Sequence, residues 1–212
     1  MVRASAVLPS VLRLRRGAAS VHAVDAFLIS FGVIFVAELG DKSQLMAMTF
    51  AARYRAVTVL LGITIATALV HAVSVGIGAV LGAALPTRAI TAVAALAFFG
   101  FAAWTLRGDE LSEEEAQKVD RMSGSAVVAA SVAFFLAELG DKTMLATITL
   151  ATDYAPIPVW AGSTVGMVAA DALAIVVGAQ LGAHLPERVI KIGAAVLFAL
   201  FGLLLAVEAV QG

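Results

Sequence analysis

Six ionisable residues stand inside two otherwise apolar stretches: Glu38, Asp41 and Lys42 in one, Glu138, Asp141 and Lys142 in the other. A charged side chain at the centre of a membrane helix costs about 2.5–3.5 kcal/mol. Six of them facing lipid would cost on the order of 15–20 kcal/mol. They must instead face one another, water or a bound ion. Glu38 and Asp41 are three positions apart, as are Glu138 and Asp141, and a continuous helix puts such a pair on one face. Carboxylates with neutral oxygens suit hard cations such as Ca²⁺, Mn²⁺ or Mg²⁺. Ser43, Gln44 and Thr143 flank the acids and can add such oxygens. The absence of cysteine removes thiolate ligands, iron–sulfur clusters, disulfides and a cysteine nucleophile. Met46, Met48 and Met144 lie nearby; as ligands they favour a softer ion such as Mn²⁺, as packing residues they fill core gaps.

A purely structural reading competes with this one. Glu38 to Lys42 and Glu138 to Lys142 are i, i+4 pairs in the favourable order, and intrahelical salt bridges would make insertion tolerable. That leaves each Asp unexplained. Gly40 and Gly140, between the acids, read as points where two motif helices pack closely, with local unwinding that frees carbonyls as the other role. His71 and Asp171 are further polar residues in apolar segments, and together they suggest a proton relay or a group supporting the site. His22 and His184 fall near segment ends and carry no role.

These residues belong to a duplication. Phe35-Val36-Ala37-Glu38-Leu39-Gly40-Asp41-Lys42-Ser43 returns as Phe135-Leu136-Ala137-Glu138-Leu139-Gly140-Asp141-Lys142-Thr143, an offset of 100 residues (138 − 38). The same offset relates Gly62 to Gly162, His71 to Asp171, Gly78 to Gly178 and Leu85-Pro86 to Leu185-Pro186.

The positioning elements follow from composition. Of 212 residues, 61% are hydrophobic and 14% charged, with a mean hydropathy of +1.00. A soluble domain is nearer ~45–50% apolar and ~25% charged, so the chain reads as an all-α polytopic membrane protein. The net charge of −1 excludes the basic face a nucleic-acid partner needs. Six apolar segments, about 25–50, 56–82, 88–106, 125–150, 157–183 and 188–209, are each long enough to cross a bilayer. Arg53-Tyr54-Arg55, Leu85-Pro86-Thr87, Asp153 to Pro158 and Leu185-Pro186-Glu187 punctuate them. The organisation expected is an Arg-rich extension over 1–23, a three-helix repeat over 24–106, an acidic linker over 107–124 and a second three-helix repeat over 125–212. The extension fits a transit peptide, a disordered tail or a start assigned too far upstream. Ser112 and Glu115 could cap a short helix in the linker. Three spans per half force the second half to enter the membrane from the opposite side. Six helices as two inverted repeats is an architecture of secondary transporters, and it can gather Glu38, Asp41, Glu138 and Asp141 into one ring.

Arginine and lysine in short loops set orientation. Without the extension, Arg53, Arg55, Arg107, Lys118, Arg121, Arg188 and Lys191 fall on one side and Arg88 on the other. This predicts a cytoplasmic central loop with both termini outside.

Two copies of E-x-G-D-[KR]-[TS], here Glu38 to Ser43 and Glu138 to Thr143, resemble the hallmark of the Gdt/MneA-type cation transporters of Golgi membranes, chloroplasts and bacteria. The resemblance covers about residues 25–210. It implies a Ca²⁺/Mn²⁺–proton antiporter or manganese exporter, with Glu38, Asp41, Glu138 and Asp141 binding the transported cation. Lys42, Lys142, Ser43, Thr143, Gln44, Gly40 and Gly140 would support them. No resident cofactor is expected; the partners are the cation, protons and the lipid bilayer. The compact alanine-rich chain looks bacterial, which points to export of manganese across the plasma membrane. A divalent-cation channel and an exporter of another cationic substrate are the alternatives. An intramembrane aspartyl protease using Asp41 and Asp141 fits less well, because its G-x-G-D needs glycine where Glu38 and Glu138 stand. The reading is therefore not an enzyme.

Overall fold

The computed structural model describes residues 8–107, 125–181 and 187–211. The described residues form helices alone: α1 (Leu8–Glu38), α2 (Lys42–Ala51), α3 (Ala56–Ala84), α4 (Thr87–Arg107), α5 (Ala126–Glu138), α6 (Lys142–Asp153), α7 (Pro156–Leu181) and α8 (Glu187–Gln211). Four are long and apolar enough to cross a membrane: α3, Arg88–Arg107 within α4, Pro156–Gly178 within α7 and Lys191–Gln211 within α8. The turns between α2 and α3, α3 and α4, and α6 and α7 fall at the expected punctuation. The Leu185-Pro186 break, most of the acidic linker with its Ser112–Glu115 cap, and His184 lie outside the described residues. The backbone is helical from Leu8, so the N-terminal extension runs into the first apolar segment without a break after residue 23.

The two motif-bearing segments depart from expectation. Neither 25–50 nor 125–150 is a continuous helix. His22–Glu38 and Lys42–Ala51 are bent by 77° against each other and count together as a fifth candidate span. In the second half α5 has only 13 residues, too few to cross alone at ~1.5 Å per residue, before the chain breaks and restarts as α6.

The halves interlock. α1 lies along α7, α3 along α5 and α6, and α4 along α8. Two pairs of equivalent helices, α4 with α8 and α3 with α7, meet antiparallel. Arg88 at the start of α4 donates its Nε to the carbonyl of Ala209 near the end of α8 at 2.9 Å, while midway Phe98 meets Phe198. Between α3 and α7, Thr67 donates to the Met167 sulfur at 3.3 Å, and His71 Nδ1 lies 3.4 Å from Thr164 Oγ1.

Glycine permits the close approaches. A Cβ on Gly62 would sit 2.6 Å from Ala130 Cβ and 2.8 Å from the Val127 carbonyl, so α3 touches α5 backbone to backbone; Gly162 does the same against Phe27 on α1. Lipid offers no hydrophobic drive between helices, so this van der Waals contact carries their association. The interior is accordingly small and aromatic, with Ala66, Ala130, Ala170, Phe50, Phe98, Phe134 and Phe198 all buried. Large aliphatic side chains such as Val80, Val93, Leu96 and Leu204 point outward, the inverse of a water-soluble pattern.

Candidate functional site

Each motif builds a helix break. Glu38 is the last residue of α1 and Glu138 the last of α5. Two residues on, Gly40 and Gly140 take φ of 75° and 81°, the left-handed region that glycine enters without a Cβ clash. Asp41 and Asp141 then follow in extended conformation as N-caps of α2 and α6. The break is held by side chains four residues ahead. Gly40 donates its N–H to Gln44 Oε1 at 2.9 Å, and Gly140 donates to the Met144 sulfur at 3.2 Å. Both glycines therefore serve as turn residues, the local unwinding expected as their other role; at Gly140 close packing does not hold, since a Cβ there would meet nothing within 4 Å.

This geometry corrects two readings. Glu38 and Asp41 share no helical face, because they flank a break; the same holds for Glu138 and Asp141. The proposed intrahelical Glu–Lys bridges are also absent as helical i, i+4 pairs, since Lys42 and Lys142 each begin a new helix. Lys142 instead pairs with Asp41 of the other half.

The breaks of the two halves meet in the interior. Glu38, Asp41 and Asp141 each offer an oxygen within 4.8 Å of the others, an arrangement able to hold a metal ion. All three are buried. Glu138 is also buried but lies outside this group, its Oε2 accepting from Thr143 Oγ1 at 2.7 Å. In the first half the Ser43 hydroxyl donates to Glu38 Oε2 and lies 3.3 Å from Asp41 Oδ2. Oε1 of both Glu38 and Glu138 is buried with no hydrogen-bond partner. A carboxylate oxygen buried this way is costly unless a cation or proton sits on it.

Gln44 joins this centre to α7 by donating Nε2 to the Ala170 carbonyl at 3.0 Å. The next residue, Asp171, is fully buried, and neither of its oxygens has a hydrogen-bond partner. It is close enough to Asp41 and Glu38 to act on them electrostatically. His71 is buried too, but its ring partner is Thr164; no hydrogen bond joins it to Asp171. Of the methionines, Met46 belongs to the packed core around Phe50 and Phe134, Met48 sits against Gly178, and Met144 is engaged by the turn. His22 lines a surface cavity of about 530 Å³ with Asp25, Asp153 and Tyr154. Sequence reasoning passed over the acids of that cavity because they stand at segment ends with no shared motif.

Apolar outward faces, membrane-length helices and carboxylates of both halves gathered in the interior define an integral membrane protein of the transporter class. The chain belongs to the family described as "Divalent cation/proton antiporter GDT1", which matches residues 26–113 and 126–212. This is a family of transporters rather than enzymes. Among its relatives, a Vibrio cholerae protein named "Putative manganese exporter" is 33% identical over 185 residues, covering 86% of this chain and 90% of that protein. "GDT1-like protein 2, chloroplastic" of Oryza sativa subsp. japonica is 36% identical over 208 residues, covering 84% of this chain and 60% of the rice protein. "Protein PAM71, chloroplastic" of Arabidopsis thaliana is 34% identical over 215 residues, covering 88% and 58% respectively. The chain thus spans less than two thirds of the length of these two chloroplastic relatives. No solved structure matches it.

Proposed function

We propose that this protein exchanges a divalent cation, Mn²⁺ or Ca²⁺, for protons by alternating access, and that it exports manganese across a bacterial plasma membrane. The observation that carries the proposal is the buried convergence of Glu38, Asp41 and Asp141 from the helix breaks of both halves. Hard oxygen ligands in that number suit these ions, and broken helices around an acidic centre are a transporter's way of building an ion site. Glu38, Asp41 and Asp141 hold the cation, and Glu138 joins them as the site rearranges. Ser43, Thr143 and Gln44 supply neutral oxygens or fix the acids, while Gly40 and Gly140 make the breaks. Asp171, with His71 farther along the interior, passes protons. The exporter's name borne by the Vibrio cholerae relative supports manganese as the cargo.

In this reading α1–α2 and α5–α6 are each one broken span, which brings the total to six and makes the halves inverted three-span repeats. The antiparallel meeting of α4 with α8 supports it. The central loop is cytoplasmic. Two protons carry the charge of one divalent ion, so exchange at about two protons per ion is electroneutral. The test is metal-dependent proton flux in proteoliposomes of purified protein, offered Mn²⁺, Ca²⁺, Mg²⁺ and Zn²⁺ in turn. Proton release coupled to Mn²⁺ or Ca²⁺ entry is the result expected. Proton movement with none of the four would overturn the proposal.

A further inference from the structure

Lys42 and Lys142 hold equivalent places in the repeat, yet they are placed differently. Lys142 is buried and pairs with Asp41 of the opposite half, whereas Lys42 is only half-buried. From the first residue of α6, the Lys142 ammonium thus reaches into the group of Glu38, Asp41 and Asp141. It takes Oδ1 of Asp41. The other oxygen of Asp41, Oδ2, faces Ser43, with the Ser43 N–H at 3.4 Å and its hydroxyl at 3.3 Å. A divalent ion that takes Asp41 as ligand must displace something from it. The ammonium is the occupant that such an ion repels, since two cations in a low-dielectric interior are poorly screened.

We infer that Lys142 is a tethered counter-cation of the transport site, seated on Asp41 when cargo is absent and expelled from it when the divalent ion binds. The inference rests on Glu38, Asp41 and Asp141 being the cargo site. A tethered competitor has a high effective concentration, so Lys142 weakens apparent cargo affinity and speeds release. In the cargo-free carrier that returns with protons it leaves Asp41 paired while the site crosses between its two faces, where an uncompensated buried charge would be costly. Of the two lysines, the inference concerns Lys142, the buried one, whose ammonium is seated on Asp41.

The test uses the full chain, purified in detergent, with Mn²⁺ binding followed by titration calorimetry and folding by thermal unfolding. Lys142→Met should bind Mn²⁺ about tenfold more tightly or better. In proteoliposomes it should show a lower KM together with a lower kcat, a split that a merely structural lysine would not produce. Lys142→Arg, which keeps the charge, should stay near wild type. Unchanged or weaker affinity in a folded Lys142→Met protein would overturn the inference. Should that variant fail to fold, amine-reactive labelling of the wild type decides, with Lys42 as internal reference. Saturating Mn²⁺ should raise modification of Lys142 several-fold, and no rise overturns the inference. If the wild type itself binds no divalent cation, the cargo-site reading fails first and the tether falls with it.

Discussion

Phe98 and Phe198, equivalent residues of the two halves, meet edge to face with ring centroids 6.1 Å apart and planes at 61°. Contact between a residue and its own counterpart places both beside the axis relating the halves. Thr67 and Met167 do the same on α3 and α7. These helices run antiparallel, which accords with the proposed inverted repeat; on that proposal each half holds an odd number of spans and the chain's ends lie on the side opposite the central loop. The chain has no native cysteine, so Ser112→Cys gives a single label site in that loop, outside the described residues. Membrane-impermeant maleimide should leave it unmodified in intact cells and modify it after permeabilisation.

Neutralising the carboxylate group should separate transport from folding. Glu38→Gln and Asp141→Asn each keep shape while removing a charge, and each should lower transport by about 100-fold or more, since losing even supporting groups costs metal sites ~10–100-fold. Thermal unfolding should hold steady or rise, because like charges no longer crowd a buried space. Flux assays paired with melting curves check this.

The left-handed glycines set a backbone prediction. Gly40→Ala or Gly140→Ala forces a Cβ into a conformation that costs about 1–2 kcal/mol, and the break should relax toward continuous helix. Stability should fall by about that amount, and transport should fall further because the caps Asp41 and Asp141 move. Asparagine, which tolerates this region better, should be the milder substitution at Gly140, where space is open.

Protons and cargo share one set of oxygens, so apparent Mn²⁺ affinity should weaken as pH falls. The sign follows from occupancy: a carboxyl that has taken a proton no longer ligates, and acidification fills the site with protons. Each proton displaced per ion contributes about tenfold in affinity per pH unit below the site's titration. Two protons thus give about 100-fold per unit, read from binding isotherms across a pH series.

Much of this was legible in the sequence. Gly62 and Gly162, like the two motifs, advertise the duplication by their offset, and the interior place of Glu38, Asp41, Glu138 and Asp141 follows from the cost of exposing them. The break itself was written there as well. Leu39-Gly40-Asp41 sets a helix-stopping glycine beside a helix-starting aspartate, but unbroken hydropathy across 25–50 masked both signals. With the break kept only as the second role of the two glycines, i, i+3 and i, i+4 spacings were applied to helices that are not continuous there. The pairing of Lys142 with Asp41 had no local signature at all. It depends on how two distant breaks dock, which only the packing of α3 against α6 and α7 against α1 determines.

On the proposed mechanism a proton gradient drives cargo uphill through the buried carboxylates. The decisive measurement uses proteoliposomes with membrane potential clamped at zero, equal Mn²⁺ on both sides and a pH gradient alone. Mn²⁺ should accumulate on the acidic side, because protons leaving that compartment exchange for the ion, and Asp141→Asn should abolish the effect. If neither Mn²⁺ nor Ca²⁺ accumulates against its own gradient, while both still run down one when it is imposed, the protein is a channel and the antiport account is contradicted.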